Sequence, residues 1–127
     1  MKKFILLAML CVPSIALSSS KDATKKALDY CSTVESWPAQ KVILAEYQKN
    51  EQLDRMKASS FLIERTKLAK GNKPIKFEDW GQLYTQTIEV TIPYIDNQRK
   101  PKVFIASSII SAEECSLTQS AYFEITP

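Results

Sequence analysis

The pattern of apolar and polar positions changes period along the chain, which indicates a helix first and a sheet afterwards. From Pro38 to Lys57 the chain has no glycine and consists mostly of good helix formers. Its apolar residues recur on one side of a helix, although Glu46 and Lys49 interrupt that stripe. This pattern predicts a long amphipathic helix. A strand centred on residues 42–44 is the alternative, and the polar, helix-favouring run behind it argues against a strand.

The segment before this helix is harder to interpret. Residues Asp22 to Val34 place small and apolar side chains at helical spacing, so they form either a short helix or a partly ordered arm. Trp37-Pro38 is a boundary, because a residue before proline avoids helical backbone angles while proline suits a first helical turn. The long helix is therefore predicted to begin at Pro38 and to be the N-terminal helix of the domain.

Beyond Ala58 the pattern favours strands. Ser59–Lys67 is a first strand or a continuation of the helix, and Lys70–Pro74 has the composition of a turn. Residues Ile75–Gln82 then form a connection. Leu83–Tyr94 alternates between two faces and is the clearest strand. Its apolar face is formed by Tyr84, Ile88, Val90, Ile92 and Tyr94, and its polar face by Thr85, Thr87, Glu89 and Thr91.

The C-terminal part continues as an antiparallel meander. Asp96–Pro101 is a polar hairpin loop, and Lys102–Ser111 is apolar on both faces, as in a central strand. A turn at Ala112–Glu114 leads to a last strand with Leu117, Ala121, Phe123 and Ile125 on one face. We therefore expect an α+β fold in which the long N-terminal helix packs on an antiparallel meander of about four strands.

The N-terminus has the pattern of a bacterial Sec-type signal peptide. Lys2 and Lys3 precede an apolar stretch that is too short to span a bilayer, and small residues follow at Ala16–Ser20. Residues 1–20 are therefore predicted to be cleaved, which leaves residues 21–127 as a single exported domain. The expected location is the periplasm or the medium, with no membrane insertion after cleavage.

Cysteine usage agrees with export. Removal of the signal peptide also removes Cys11 and leaves Cys31 and Cys115. Two cysteines in an oxidising compartment predict one disulfide. The alternative is a reactive thiol, but Glu113 and Glu114 beside Cys115 would raise a thiol pKa instead of lowering it.

Composition excludes several classes of function. The chain has no histidine, which removes Ser-His-Asp and Cys-His catalysis and histidine zinc sites. Its only glycines are Gly71 and Gly81, so a glycine-rich phosphate loop is absent. Loss of Lys2 and Lys3 reduces the net charge from +3 to +1, unlike a nucleic-acid binder. We expect no cofactor, no metal and no nucleic-acid partner.

A set of local motifs resembles one protein family. The set is a signal peptide, a cysteine sixteen residues before Tyr47, the sequence Tyr47–Asn50 in the helix, a meander, a second cysteine at Cys115, and the ending Tyr122-Phe123-Glu124. In these features the chain resembles the YebF and colicin M immunity protein family, loosely from Cys31 to Ile125.

The resemblance implies a small cystatin-like α+β domain with Cys31 and Cys115 as the bridged pair. One branch of the family neutralises a toxin that acts in the periplasm, and another is an exported protein without an enzymatic site. This chain departs from the family in its longer arm before Cys31 and its longer strand region before Cys115. It also has no obvious tryptophan after the helix.

The candidate site residues lie in charged turns. Asp96, Arg99, Lys100 and Lys102 place three cations and one acid at the hairpin tip, which we predict to bind a charged protein partner. Solubility alone also explains such a tip. The acidic pairs Glu78-Asp79 and Glu113-Glu114 are the remaining candidates for catalytic residues. A glycosidase, for example, needs two carboxylates facing each other across a cleft. Solvated turns explain both pairs more simply.

The sequence therefore favours a small exported, non-enzymatic protein that binds another protein, most concretely an immunity or inhibitor protein. Two alternatives stay open: a small carboxylate-dependent periplasmic hydrolase, and an accessory component of an envelope assembly. Export, small size and the lack of a recognisable catalytic set support the first interpretation. The sequence does not specify an oligomeric state.

Overall fold

A computed structural model describes residues 21–127, and the signal peptide predicted for residues 1–20 lies outside them. Residues 21–30 are helical (α1), and a second helix, α2, follows at Trp37–Lys49. The longer helix is therefore not N-terminal, contrary to the prediction. It also ends eight residues before the predicted Lys57, and a short 3₁₀ helix occupies Arg55–Lys57.

Both ends of α2 have local causes. Pro38 lies in the first turn, where its missing N–H costs no hydrogen bond. At the other end Asn50 adopts an extended conformation, and its side-chain oxygen accepts a hydrogen bond from the Gln52 N–H at 3.0 Å. Such Asx turns compete with helix continuation. As a result Leu53 enters the core, while Met56, which lies within the predicted helix, is 85% exposed.

Eight strands follow, and the four longer ones form the main sheet. Their bounds are β1 Ser59–Lys67, β2 Ala69–Lys70, β3 Lys73–Pro74, β4 Lys76–Phe77, β5 Gly81–Gln82, β6 Tyr84–Ile92, β7 Lys102–Ile110 and β8 Ala121–Glu124. The main sheet has the antiparallel order β1-β6-β7-β8. The predicted α+β class, the first strand and the four-stranded meander are confirmed.

Two small hairpins lie between β1 and β6. Strands β2 and β3 pair across the predicted turn, where Gly71 has a φ of +62°, a value that favours glycine. The predicted connection contains the second hairpin, β4–β5. The Leu68 N–H donates to the Leu83 carbonyl at 2.9 Å and continues the pairing of β1 with β6 toward these hairpins.

One face of the sheet, called the inner face below, packs against the helices. Helix α2 contacts β6 and β7. The core that lies between them contains Ala39, Val42, Ile43, Leu53, Ile88, Val90, Ile92, Phe104 and Ala106. Tyr122 of β8 packs against this core with its ring edge-on to Phe104, at 5.7 Å between centroids. The predicted covering of the inner face by the long helix is therefore confirmed.

The disulfide closes the other end of the inner face. Cys31, just after α1, bonds to Cys115 in the loop after β7, with Cα atoms 5.3 Å apart. Leu28, Cys31 and Ile110 form a second small core here. The predicted bridge is confirmed. None of the helices within residues 21–127 is long and apolar enough to cross a membrane.

Candidate functional site

The opposite face of the sheet, called the outer face below, has no helix of residues 21–127 packed on it in the way that α2 packs on the inner face. Alternation in β6 places Thr85, Thr87, Glu89 and Thr91 there, as the sequence predicted. The cross-strand register then continues the face onto the neighbouring strands. Phe61 of β1 lies opposite Glu89, Glu89 opposite Ile105 of β7, and Ile105 opposite Phe123 of β8. One row of four side chains therefore crosses the whole sheet.

Large apolar side chains are exposed on this face. Phe61 is 55% exposed and Phe123 is 61% exposed, and Ile125 continues the apolar edge beside Val103. The sequence grouped Phe123 and Ile125 on one face of the last strand, and the structure turns that face outward. Solvated faces of antiparallel sheets are usually polar, so a row of exposed aromatic and aliphatic side chains indicates a contact surface.

A β-bulge decides which charges reach the outer face. Between Leu62 and Glu64 the register of β1 shifts by one residue, which leaves Ile63 unpaired. Glu64 therefore points outward, and Arg65 points inward, where it bonds Asp29 of α1 at 3.0 Å. The four main strands, all within residues 21–127, place Glu64 and Glu89 on the outer face and no lysine or arginine. The face is both apolar and acidic.

The predicted partner-binding tip lies at the end of the β6–β7 hairpin. The Arg99 guanidinium lies over the Tyr94 ring at 4.0 Å, and its Nε is 3.7 Å from Asp96 Oδ2. The Lys102 ammonium lies 3.8 Å from the Glu124 carboxylate. Intramolecular contacts therefore engage two of the three predicted cations, and Lys100 is exposed at the end of the loop. Partner binding at the tip stays a prediction.

The acidic pair Glu113-Glu114 lines a cleft of about 750 Å³ beside the disulfide. Glu35 and the aromatic rings of Tyr30 and Trp37 line the same cleft. The Ser116 hydroxyl and backbone N–H donate hydrogen bonds to Glu114 Oε1, and these bonds hold the pKa of Glu114 below its usual range. A general acid has the opposite shift.

The second acidic pair lies in a smaller cleft of about 370 Å³. Glu78, Asp79 and Trp80 line it together with Glu113, so carboxylates from two different loops border one space. Glu113 also borders the larger cleft and therefore lies between the two. Among residues 21–127, no group of three or more acidic or cysteine side chains is arranged to hold a metal ion.

Four aromatic residues near the clefts and the hairpin, Trp37, Trp80, Tyr84 and Tyr94, do not form one surface. Trp37 borders the larger cleft, with the Lys41 ammonium 5.9 Å from the centroid of its ring. Trp80 and Tyr84 border the smaller cleft, and Tyr84 also packs against the second core. Tyr94 packs against the main core while holding Arg99. The two tyrosines therefore serve packing, whereas the two tryptophans border separate clefts.

Sequence reasoning missed two polar residues on the inner face. Glu46, which interrupts the helical stripe, is buried and accepts hydrogen bonds from the Tyr122 hydroxyl at 2.8 Å and the Lys49 ammonium at 3.0 Å. Gln86 is fully buried, and its amide donates to the Cys31 carbonyl at 2.8 Å. Strict alternation between Tyr84 and Ile88 already placed Gln86 inward, so that signal was present.

The chain was compared with protein-family models, curated proteins and solved structures, and none of them matches it.

Proposed function

We propose that this protein is a small exported, non-enzymatic protein that binds another protein, most concretely as an immunity or inhibitor protein. The observation that supports the proposal is the uncovered outer face, where Phe61, Ile105 and Phe123 lie in one cross-strand row. A monomer gains nothing from exposing such a row, whereas a partner that covers it removes apolar surface from water.

The disulfide supports the exported part of the proposal. Cys31 and Cys115 are 84 residues apart and join the beginning of the described chain to the segment before the last strand. Such bridges persist in oxidising compartments and are rare in the cytoplasm. A stapled sheet also presents a rigid surface, which lowers the entropy cost of binding.

The binding surface can be tested by photocrosslinking in the native host. A benzoylphenylalanine at position 123 should give a discrete adduct with one other protein. The same group at position 44 is the matched control, because Leu44 is an exposed apolar residue on α2, on the opposite side of the sheet. The proposal would be contradicted if position 123 gave no adduct, or if positions 123 and 44 gave adducts with the same proteins.

Purified components complete the test. Once mass spectrometry identifies the partner, the variant Phe123→Ser should abolish its binding to the purified protein, and Leu44→Ser should not. A partner that is a toxin, together with protection of cells by the exported protein, would establish immunity. A partner that belongs to an envelope complex would establish the accessory role instead. An adduct only with a second copy of the chain would overturn heterologous binding.

A hydrolase is the second candidate, and one specific observation favours it: Glu78, Asp79 and Glu113 border the same cleft. Single replacements by Gln or Asn test it directly. A hundredfold loss of biological effect from Glu113→Gln or Glu78→Gln, with unchanged melting temperature, would establish carboxylate chemistry. Retention of the effect would leave the binding function as the explanation.

A further inference from the structure

Glu89 occupies an unusual position on the outer face. It lies on the central strand β6, and its cross-strand neighbours are Phe61 on one side and Ile105 on the other. Its side chain is half-buried between them. The other carboxylate of this face, Glu64, lies on the edge strand, is exposed, and accepts a hydrogen bond from the Thr66 hydroxyl at 3.2 Å.

The Glu89 carboxylate makes no hydrogen bond or salt bridge within residues 21–127. Arg65 is the cation of β1 that follows Glu64, the other acid of the outer face. The bulge turns Arg65 to the inner face, where it bonds Asp29. Glu89 is therefore an ionisable group with two apolar cross-strand neighbours, and residues 21–127 supply no cation to it. Water solvates it only while the face stays uncovered.

A partner that covers the outer face changes the solvation of Glu89. A partner that buries Phe61, Ile105 and Phe123 also removes water from Glu89, because Glu89 lies inside the same row. Burial of an unpaired carboxylate is strongly unfavourable, whereas a charge-assisted hydrogen bond from lysine or arginine compensates for it. Apolar neighbours around such a pair exclude water from it, as in interface hot spots.

We propose that the outer face binds a partner that presents an apolar surface with a lysine or arginine side chain directed at Glu89. This inference rests on the proposed protein-binding function and specifies the chemistry of the partner. A second copy of this chain that pairs through its own outer face is the wrong occupant. Pairing two outer faces would bring Glu64 and Glu89 of both copies together, and the strands bring no cation to either face.

The test uses the full exported domain and the partner identified by crosslinking at position 123. Glu89→Gln keeps the shape of the side chain and removes its charge, so affinity should fall about thirtyfold or more. Glu64→Gln removes the same charge from the same face at an exposed edge. The affinity of this variant for the partner should stay within about threefold of the parent affinity. Melting temperatures of both variants should match the parent, since neither carboxylate holds the core together.

Charge exchange provides the positive result. Glu89→Lys should abolish binding, and changing the partner's contacting cation to Glu should restore it. If the affinity of Glu89→Gln stays within about threefold of the parent affinity while Phe123→Ser does not bind, the proposed contact with a cation is wrong. The outer face is then still the binding surface. If Phe123→Ser binds normally, the proposed function itself fails at this face. Equal thirtyfold losses in Glu89→Gln and Glu64→Gln would indicate general steering by charge and would also overturn the specific contact.

Discussion

The two faces of the main sheet are built from alternate residues of the same strands and yet have different surroundings. On the inner face, Ile88, Val90 and Phe104 are fully buried under α2. On the outer face, Phe61 and Phe123 are exposed and flank an acidic centre. The contrast shows that apolar composition alone does not identify a core residue. What distinguishes the faces is whether another element of the chain covers them.

The strands also differ in how far they follow the expected pattern. The outer side of β6 is formed by threonines and Glu89, as expected for a solvated face. The outer side of β7 contains Val103, Ile105 and Ile109, which stay partly exposed. A strand that is apolar on both sides was predicted to be central, and β7 is central. Its second apolar side is where we place the partner.

The largest effect should come from the disulfide, which holds the α1 end of the inner layer. On the chain-entropy model, removal of a bridge over 84 residues costs about 4 to 5 kcal/mol of the free energy of unfolding. Cys115→Ser and Cys31→Ser should lose this amount equally in chemical denaturation. Reduction of the parent protein should give the same loss. A loss below about 1 kcal/mol would show that the helices hold the inner layer without the bridge.

The comparison of faces is sharpest with two phenylalanines on neighbouring strands. Phe104→Ala on the inner face should cost about 3 to 5 kcal/mol, because it leaves a cavity in the main core. Phe123→Ala on the outer face should cost less than about 1 kcal/mol while it weakens partner binding. Urea denaturation measures both variants. Equal costs would contradict the division of the sheet into a packed face and a binding face.

A smaller effect should come from the buried polar contact beneath α2. Tyr122→Phe removes the hydrogen bond to Glu46 and should cost about 1 kcal/mol at neutral pH. Burial and the Glu46 carboxylate raise the pKa of Tyr122 above 10.0 in the folded state. The folded protein then holds this proton more tightly than the unfolded chain, so stability falls as pH rises above about 10.

Lysine residues also titrate in this alkaline range, and the Glu46 carboxylate raises the pKa of Lys49 as well. The informative quantity is therefore the difference between the parent and Tyr122→Phe across pH 9 to about 12. The parent should lose its advantage over the variant as pH rises. An advantage that stays constant would show that Tyr122 titrates alike in the folded and unfolded states.

The smallest effect on stability should come from the hairpin tip. Reversal of Arg99 and Lys100 to Glu removes the contact of Arg99 with Tyr94 and should change the melting temperature by only about a degree or two. If the tip steers the partner, association should become slower and less dependent on salt, while dissociation, governed by the outer face, stays the same. Unchanged association would show that the tip is only a solvated turn.

Local patterns were enough to predict several parts of this structure. Period-two alternation gave the correct faces of β6, because successive side chains of a strand point to opposite sides. The two cysteines that remain after the predicted signal peptide were enough to predict the Cys31–Cys115 bridge. The end of α2 was missed because Asn50, a residue with good local turn chemistry, lies within a long run of helix-favouring neighbours.

The candidate binding site could be predicted only in part. Glu89 and its threonine neighbours were placed together on one face, but the aromatic residues beside Glu89 come from strands distant in sequence. Phe61 and Phe123 reach it only through the registers of β1 with β6 and of β7 with β8. The bulge at Ile63 exchanges the directions of Glu64 and Arg65. The order of apolar and polar residues in β1 does not indicate it.

The sequence by itself determined the α+β class, the central alternating strand and the disulfide, because each depends on local periodicity or on the count of one residue type. Tertiary structure alone decided that both helices lie on the same side of the sheet, and therefore that one apolar face is buried and the other is exposed. The physical reason is that alternation in a strand separates two faces but does not determine which of them the rest of the chain covers. That choice made Phe104 a core residue and left Phe61, Glu89 and Phe123 facing outward.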